Sequence, residues 1–336
     1  MTALLGMSSV ALLRLGGRQV IEGRLTLGEF VAFMGYLAML AWPTIAIGWV
    51  INIFQRGAAS MSRILEILHA DPEIIDMPQA SVPEPIHGAV EFRHLYFQYP
   101  NAANPVLHDI NLSIPAGTTL AIVGCTGSGK STLVNLIPRL FDPPAGTIFI
   151  DGRDIRQWPL VELSKIIGFV PQETFLFSDT IRENIALGSK DKLSDSELKR
   201  AAQVSQIPND IEAFARGVET FVGERGITLS GGQKQRVAIS KAVVISPKIL
   251  IFDDALSSVD TYTEERIMEQ LARMAQDRTT IFASHRISTA RTADQIIVLD
   301  HGRIVERGTH DSLMNLRGMY AHLYSKQMLE EELAAS

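Results

Sequence analysis

The longest apolar stretch of the chain lies near its amino terminus. Residues 30–54 contain no Asp, Glu, Lys, Arg or His, and these 25 residues would form roughly 37 Å of α-helix. That length crosses a hydrocarbon core of about 30 Å with some tilt, so the pattern predicts one complete membrane span. The alternative is a buried helix of a large soluble core, but such helices rarely run so long without a charge.

A shorter apolar stretch precedes this span. It begins at residue 3 and ends before Arg14, after 11 residues or about 16 Å of helix, which is half of a membrane crossing. A secretory signal is disfavoured because no Lys or Arg precedes the apolar run. We interpret residues 3–17 as the end of a spanning helix whose beginning is missing.

The pattern changes after the span. Residues 55–70 have the apolar spacing of an amphipathic helix that extends the span, so residues 1–70 form a transmembrane fragment. Residues 71–88 hold four prolines, which exclude a continuous helix and predict an extended linker. Residues 89–327 alternate β-branched runs with helical patterns, as α/β domains do, and residues 328–336 form a tail.

Composition and charge exclude several classes of protein. The hydrophobic fraction of 46% and the mean hydropathy of +0.13 are high for a soluble chain, and they exclude disorder, collagen and a disulfide scaffold. With 31 Lys and Arg against 37 Asp and Glu, the formal net charge is -6, so a nucleic-acid partner is not expected. The single cysteine, Cys125, can form no internal disulfide, which fits a reducing compartment.

A glycine-rich loop follows a predicted buried strand at residues 118–123. The loop, residues 124–132, reads Gly-Cys-Thr-Gly-Ser-Gly-Lys-Ser-Thr and leads into a helical pattern, which is the order of a P-loop. Its glycines allow backbone N–H groups to curl around phosphates, and the helix N-terminus favours their negative charge. We expect Lys130 to reach the terminal phosphates and the Ser131 hydroxyl to ligate Mg²⁺.

Two further segments carry candidate chemistry. The apolar run at residues 248–254 ends in Asp253 and Asp254, at the carboxyl end of a predicted strand, where ligands sit in open α/β sheets. We expect Asp253 on the Mg²⁺ side and Asp254 next to the attacking water, although two such residues alone could simply cap a helix. Residues 229–233, Leu-Ser-Gly-Gly-Gln, open a helical pattern and either present backbone donors to an anion or form an ordinary capped turn.

The order of these motifs resembles that of the ATP-binding cassette (ABC) transporters, most closely the exporter-type half transporters of multidrug and lipid exporters. The resemblance covers nearly the whole chain. It implies an α/β P-loop NTPase domain, an ABC ATPase with a helical subdomain, preceded by an all-α transmembrane fragment. It also implies ATP and Mg²⁺ as cofactors, and a multi-pass protein of the plasma or inner membrane with its ATPase domain in the cytoplasm. The expected function is outward transport driven by ATP-dependent dimerisation and hydrolysis.

The resemblance also implies roles for individual residues. Tyr99 resembles the aromatic residue that stacks on adenine, Gln172 the residue that senses the γ-phosphate, and His285 the switch histidine. The implied catalytic residues are Asp254, His285 and Gln172, and the implied metal-binding residues are Ser131, Gln172 and Asp253. The implied nucleotide-binding residues are Tyr99, the loop residues Gly124, Cys125, Thr126, Gly127, Ser128, Gly129, Lys130, Ser131 and Thr132, and the signature residues Leu229, Ser230, Gly231, Gly232 and Gln233.

One position departs from the family pattern. The residue after the Walker B aspartate is usually Glu, but here it is Asp254. The missing methylene retracts the carboxylate by roughly 1.5 Å, and misplacement on the order of 1 Å can cost about a hundredfold in rate. The change resembles the slow half of heterodimeric exporters, so we expect a second ABC half transporter as partner, with a heterodimer favoured over a homodimer. The alternative is that Asp254 reaches the attacking water through another water or a small backbone shift.

A second departure is length. The resemblance implies six spanning helices, whereas this chain supplies one complete span and a fragment, so we expect an N-terminally truncated product rather than a genuine short one. One rival interpretation is an ATP-binding module that dimerises without transporting. Another is a soluble cassette ATPase of nucleic-acid repair, which leaves residues 30–54 unexplained. We therefore expect contact with the lipid bilayer and not with nucleic acid.

Overall fold

A computed structural model of the chain describes most of its length and divides it into two compact units. One unit ends at Glu73 and the other begins at Ile74. The described residues are 2–78, 80–82, 84–100, 102–189, 193–274 and 278–335.

The first unit consists of helices α1 (Thr2–Ile21) and α2 (Leu27–Leu68). α2 has 42 residues, passes through Pro43, and includes both the predicted span and its predicted extension. It begins at a capping box, in which Thr26 and Glu29 satisfy each other's backbone N–H groups. Within the described part of the chain, α2 is the one helix long and apolar enough to cross a membrane, and none of its residues is buried.

The strands of the second unit form two sheets. The described strands are β1 (Val90–Phe97), β2 (Leu107–Ile114), β3 (Thr119–Val123), β4 (Ile148–Ile150), β5 (Arg153–Asp154), β6 (Ile167–Val170), β7 (Ile249–Asp253), β8 (Thr279–Ala283), β9 (Gln295–Asp300) and β10 (Arg303–Gly308). The larger sheet has the order β10-β9-β3-β8-β7-β6, and the smaller one has the order β2-β1-β4-β5.

The larger sheet is parallel except at one edge. Strands β9, β3, β8, β7 and β6 run in parallel, and β10 pairs antiparallel with β9. Every residue of β7 and β8 is buried, because helices pack on one face of these strands and the smaller sheet with a helix packs on the other. That burial explains the continuous apolar run before Asp253. The smaller sheet is antiparallel throughout and packs into the same core.

The helices of the second unit lie on the larger sheet and beside it. They are α3 (Lys130–Asn135), α4 (Leu160–Ile166), α5 (Ile181–Ala186), α6 (Asp195–Val204), α7 (Pro208–Ala213), α8 (Gly231–Val244), α9 (Thr261–Met274), α10 (Ile287–Ala290), α11 (His310–Leu316) and α12 (Met319–Ala335). The predicted fold class, an α/β domain preceded by a helical segment, is confirmed.

α8 joins a helical subdomain to the sheet. Helices α5 to α8 enclose their own apolar cluster, to which α8 contributes Val237 and Val244. Other residues of α8, including Ile239 and Val243, belong to the cluster around Phe252 of β7. Because both faces of α8 are buried, its position is fixed relative to the subdomain and to the strand that carries Asp253.

The proline-rich segment is docked on the second unit. Asp151, just after β4, accepts hydrogen bonds from the backbone N–H groups of His87, Gly88 and Ala89 at 2.9 to 3.0 Å. Asp76 accepts a hydrogen bond of 2.7 Å from the first residue of α4. The compact unit accordingly begins at Ile74, before most of the predicted linker, because prolines exclude a helix without preventing hydrogen-bonded docking.

Candidate functional site

The glycine-rich loop leaves β3 in a conformation that requires glycine. Gly124, Gly127 and Gly129 have positive φ values of 154°, 82° and 103°. A Cβ atom on Gly124 would collide with the backbone carbonyl oxygen of Leu299 at the end of β9. The loop therefore lies close against the sheet edge, and its curve faces the start of α3.

Lys130 is held inside the curve of this loop. It is 7% exposed, and its Nζ donates hydrogen bonds to the carbonyl oxygens of Gly124 at 2.9 Å and Cys125 at 3.1 Å. Burial lowers the pKa of Lys130, and the nearby carboxylates of Asp254 and Asp253 oppose that shift. A positive charge fixed beside backbone N–H groups at a helix start suits a phosphate group.

Ser131 and Asp253 bring hard oxygen atoms together at the same edge. Ser131 Oγ donates a hydrogen bond of 2.9 Å to Asp253 Oδ1, which joins α3 to the end of β7. Burial raises the pKa of Asp253, the hydrogen bond from Ser131 lowers it, and the neighbouring Asp254 raises it again. A serine hydroxyl and a carboxylate are oxygen ligands of the kind that Mg²⁺ accepts next to phosphates.

A buried hydroxyl in the loop also suits a phosphate ligand. Ser128 is 4% exposed, and its Oγ has no hydrogen-bond partner among the described residues. Buried hydroxyl groups are usually hydrogen-bonded, so this one calls for an additional acceptor or donor. Together with the glycine curve and Lys130, it makes the residues present fit a nucleotide phosphate.

Asp254 and His285 form a pair at the ends of β7 and β8. Asp254 has a left-handed φ of 44°, and its side chain is 11% exposed. Its Oδ1 accepts hydrogen bonds from the backbone N of His285 at 3.1 Å and from the His285 Nδ1 at 2.8 Å. A carboxylate in a strained backbone conformation at a sheet edge is typical of a functional site.

The signature segment forms the N-terminus of α8. Ser230 caps this helix and forms a capping box with Gln233, while Leu229 is buried. Gly231 and Gly232 occupy the first turn, where a Cβ atom on Gly232 would lie 2.9 Å from the carbonyl oxygen of Ser258. No hydrogen bond among the described residues joins this segment to the glycine-rich loop.

Tyr99 and Gln172 occupy two different surroundings. The Tyr99 hydroxyl donates a hydrogen bond of 3.0 Å to Thr132 Oγ1, and its ring packs edge-on against Phe97 and Phe141. Gln172 is exposed just after β6, which neighbours β7, so it lies at the same sheet edge as Asp253. No hydrogen bond among the described residues joins the side chain of Gln172 to the Ser131–Asp253 pair.

Sequence reasoning missed three residues around this edge. Gln235 hydrogen-bonds Ser257 and Ser258, and Arg286 contacts Glu264. Gln235 could have been identified from the sequence. It lies one helical turn before the buried Ile239, so it is a polar residue on an apolar helix face, which indicates a buried hydrogen bond. Arg286 and Glu264 gave no such signal, since their pairing joins residues 22 positions apart.

A strand, glycine-rich loop and helix at the carboxyl edge of a parallel sheet, with a buried lysine and a serine-aspartate pair, define a P-loop nucleotide-binding domain. Residues 107–257 match the family model described as ABC transporter. The second unit carries an ABC transporter ATP-binding domain, and a helical segment precedes it.

Similar proteins include a multidrug export ATP-binding/permease protein and a lipid A-core flippase. The chain is 43% identical over 313 residues to a putative multidrug export ATP-binding/permease protein, YgaD, of Bacillus subtilis (strain 168), covering 93% of this chain and 54% of that protein. It is 42% identical over 328 residues to an ATP-dependent lipid A-core flippase of Syntrophus aciditrophicus (strain SB), covering 98% and 54%. The chain thus spans about half the length of the curated relatives that it matches.

A solved structure agrees with these relatives. The structure of a bacterial Atm1-family ABC exporter with ATP bound matches with a TM-score of 0.77 and 39% identity. The match covers 91% of this chain and 53% of that one. The similarity therefore includes the helical segment as well as the ATP-binding domain.

Proposed function

We propose that the chain is the ATP-binding and ATP-hydrolysing subunit of a membrane exporter. The observation that carries this proposal is the meeting of Lys130, Ser131 and Asp253 at one sheet edge, with the Asp254–His285 pair beside them. The proposed phosphate-binding charge, metal ligands and water-orienting carboxylate lie at the ends of β3 and β7, the two strands that flank β8.

The proposed nucleotide contacts follow from the geometry of the loop. Backbone N–H groups of residues 124–132 and the Lys130 ammonium bind the phosphates, and the Ser128 hydroxyl gains its missing partner there. Ser131 and Asp253, with Gln172, hold Mg²⁺, which when bound neutralises phosphate charge. The aromatic ring of Tyr99, fixed through Thr132, offers a surface for adenine.

We propose that Asp254 orients the attacking water and that His285 positions Asp254. One oxygen of this carboxylate accepts both hydrogen bonds from His285, which leaves the other oxygen for water. The short side chain holds that oxygen back from the position that a glutamate would reach, so turnover at this site is slow.

The position of the signature segment supports a site shared between two chains. The capped start of α8 has no hydrogen bond to the glycine-rich loop among the described residues, and we propose that residues 229–233 complete the site of a second ABC half transporter arranged head to tail. We favour a heterodimer, because an intact signature and a slow Asp254 suit unequal sites, and a homodimer is the alternative. α2 anchors the chain in the cell membrane as part of a multi-pass assembly with the ATPase domain in the cytoplasm.

The names of the relatives suggest the cargo. One is named for multidrug export and another for lipid A-core flipping, so we propose outward movement of compounds from these two classes. A second candidate function is an ATP-binding module that dimerises without transport, and Asp254 is the residue that favours it. Steady phosphate release distinguishes the two, since the module would bind ATP and dimerise without turnover.

Phosphate release by the chain, purified with its bound partners and returned to lipid nanodiscs, tests the proposal. Lys130→Met removes the buried phosphate-binding charge, and we expect Mg²⁺-dependent release to fall by at least about a hundredfold at this chain's site. Lys199→Met, which changes an exposed lysine of α6, is the matched control and leaves release unchanged. Equal rates from the two variants, measured with the partner's site inactivated, would contradict a role for this loop in ATP hydrolysis.

A further inference from the structure

The segment after β7 is held by a buried glutamine of the signature helix. Gln235 of α8 is 4% exposed, and both ends of its amide are used. Its Nε2 donates a hydrogen bond of 3.1 Å to Ser257 Oγ, and its Oε1 accepts one of 2.9 Å from the backbone N of Ser258. We call residues 257–259 the brace. A buried amide is costly to leave unpaired, so α8 and the brace are expected to move together.

The brace is held from its other side by Arg286. This arginine donates from Nη2 to the Ser257 carbonyl oxygen at 2.9 Å and from Nη1 to the Val259 carbonyl oxygen at 3.3 Å. Its Nη1 also lies 2.6 Å from Oε2 of Glu264, a carboxylate that is 4% exposed. The rigid guanidinium fork fixes both bonds to the brace at once.

Arg286 immediately follows His285, which binds Asp254. A continuous series of hydrogen bonds therefore runs from Gln235 through the brace to Arg286, and along the backbone to the Asp254–His285 pair. The first turn of α8 also touches the brace, because a Cβ atom on Gly232 would lie 2.9 Å from the Ser258 carbonyl oxygen.

We propose that Gln235 and Arg286 are positioning residues that fix the Asp254–His285 pair relative to the first turn of α8, with the brace as the connecting piece. Neither residue contacts the glycine-rich loop through any hydrogen bond among the described residues, so both act through other groups. The part that these residues play in hydrolysis rests on the proposed function, whereas the mechanical connection itself does not.

Hydrogen exchange on the full chain in lipid nanodiscs, without nucleotide, tests the connection. Gln235→Met keeps the size of the side chain and removes both hydrogen bonds. We expect exchange to accelerate at least about threefold at Ser258, which Gln235 contacts, and also at the His285 amide, which it does not. Faster exchange at Ser258 alone, with an unchanged His285 amide, would overturn the proposal.

A matched control separates this effect from general loosening. Asn184→Ala removes another buried amide, which hydrogen-bonds Phe177 and Thr180 in the helical subdomain. In Asn184→Ala we expect faster exchange only at amides near Phe177 and Thr180, and unchanged exchange at residues 257–259 and His285. Acceleration at His285 in this control as large as in Gln235→Met would count against a dedicated connection.

Two further variants protect the test against misfolding. Gln235→Glu keeps two oxygens that can accept from the Ser258 N–H and the Ser257 hydroxyl, so we expect exchange close to that of the unaltered chain. Arg286→Lys keeps the charge beside Glu264 but loses the fork, and we expect faster exchange at the Ser258 amide, whose N–H is bound by Gln235 while Arg286 binds the carbonyl end of the same peptide group. An unchanged Ser258 amide in Arg286→Lys would overturn the reciprocal half of the proposal.

Kinetics supply the second readout. For Gln235→Met we expect kcat for ATP to fall about tenfold while KM changes less than about twofold, because the phosphate-binding loop is untouched. A raised KM with an unchanged kcat would contradict a positioning role. If the unaltered chain with its partners releases no phosphate at all, the proposed function fails, and the exchange pattern still decides whether the brace connects α8 to His285.

Discussion

The length of the Asp254 side chain sets the expected rate of ATP hydrolysis at this site. Its carboxylate lies at the end of β7 with one oxygen bound to His285. Lengthening it by one methylene in Asp254→Glu should advance the free oxygen toward the water and raise phosphate release at this chain's own site, measured with the partner's site inactivated, by about a hundredfold.

The matched control for this change is Asp195→Glu. Asp195 is exposed at the start of α6 and pairs with Arg182, so the same extra methylene lies far from the proposed chemistry. Phosphate release by this variant should equal that of the unaltered chain. An Asp254→Glu rate no higher than the control's would remove the basis for a slow site and for unequal partners.

The buried phenol of Tyr320 is expected to make the stability of the fold depend on pH. Burial against the sheet raises the pKa of its phenol to about 12 from an ordinary value of 10.0, and its hydroxyl lies 2.8 Å from Nδ1 of His310. A raised pKa means that the folded chain holds this proton more tightly than the unfolded chain does. The resulting stability is therefore complete below pH 10 and is lost as pH rises toward 12.

Denaturant unfolding between pH 8 and pH 12 measures this contribution. Tyr320→Phe should be less stable than the unaltered chain at pH 8, by about 1 kcal/mol for one lost hydrogen bond. The difference should shrink and then reverse above pH 10, because phenylalanine has no proton to lose. Parallel stability curves for the two chains up to pH 12 would contradict the assigned cause.

At the scale of elements, the glycine-rich loop depends on how closely it approaches β9. In Gly124→Ala the new methyl group would collide with the Leu299 carbonyl oxygen, so the loop must open. We expect the affinity for ATP, measured by calorimetry on the full chain, to fall by at least about a hundredfold as the N–H groups lose their alignment.

Gly146→Ala is the control for backbone strain. Gly146 also has a positive φ, 72°, but no atom lies within 4 Å of its hypothetical Cβ. The substitution should cost about 1 kcal/mol of stability and leave the affinity for ATP unchanged. Equal losses of affinity in the two variants would show that strain, rather than the collision with β9, explains the effect.

The docked proline-rich segment depends on one carboxylate. Asp151 accepts hydrogen bonds from three consecutive backbone N–H groups, and Asp151→Ala leaves all three without that acceptor. We expect a loss of roughly 2 to 4 kcal/mol in the free energy of unfolding. Proteolysis should also become faster within residues 74–88.

Asp109→Ala provides the comparison for this element. Asp109 has nearly the same left-handed φ, but it is exposed and binds the side chains of His94 and Asn111 instead of a docked segment. Asp109→Ala should lose much less stability than Asp151→Ala, and residues 74–88 should stay resistant to proteolysis. Equal proteolysis in the two variants would mean that Asp151 does not hold the segment.

The sequence predicts those elements whose pattern is local. Strand β7 is a continuous apolar run because both of its faces are buried, and α2 contains an uncharged stretch long enough to cross a membrane. Both elements could therefore be predicted from their own segments of the sequence. The hydrogen bonds of Asp151 and Gln235 could not be predicted in this way. They join residues from about 20 to more than 60 positions apart, and such pairings are set by the packed fold rather than by periodicity.

The candidate site was likewise only partly predictable from the sequence. The glycine spacing around Lys130 indicated the loop, and the structure adds its collision with Leu299 and the unpaired Ser128 hydroxyl. The sequence could not indicate that one oxygen of Asp254 accepts from both the backbone N–H and the Nδ1 of His285, because that contact depends on β7 and β8 being neighbours.

At the scale of the whole molecule, the central claim is that this chain forms one half of an ATP-driven exporter. In the proposed arrangement, the signature segment of a second chain completes the site at this chain's glycine-rich loop. Intact masses of every polypeptide that remains bound when the chain is purified from its source membranes in mild detergent test this claim most directly. The account predicts a second, different ABC half transporter in equal amount. A chain that carries no second ABC polypeptide, neither different nor identical, would contradict it.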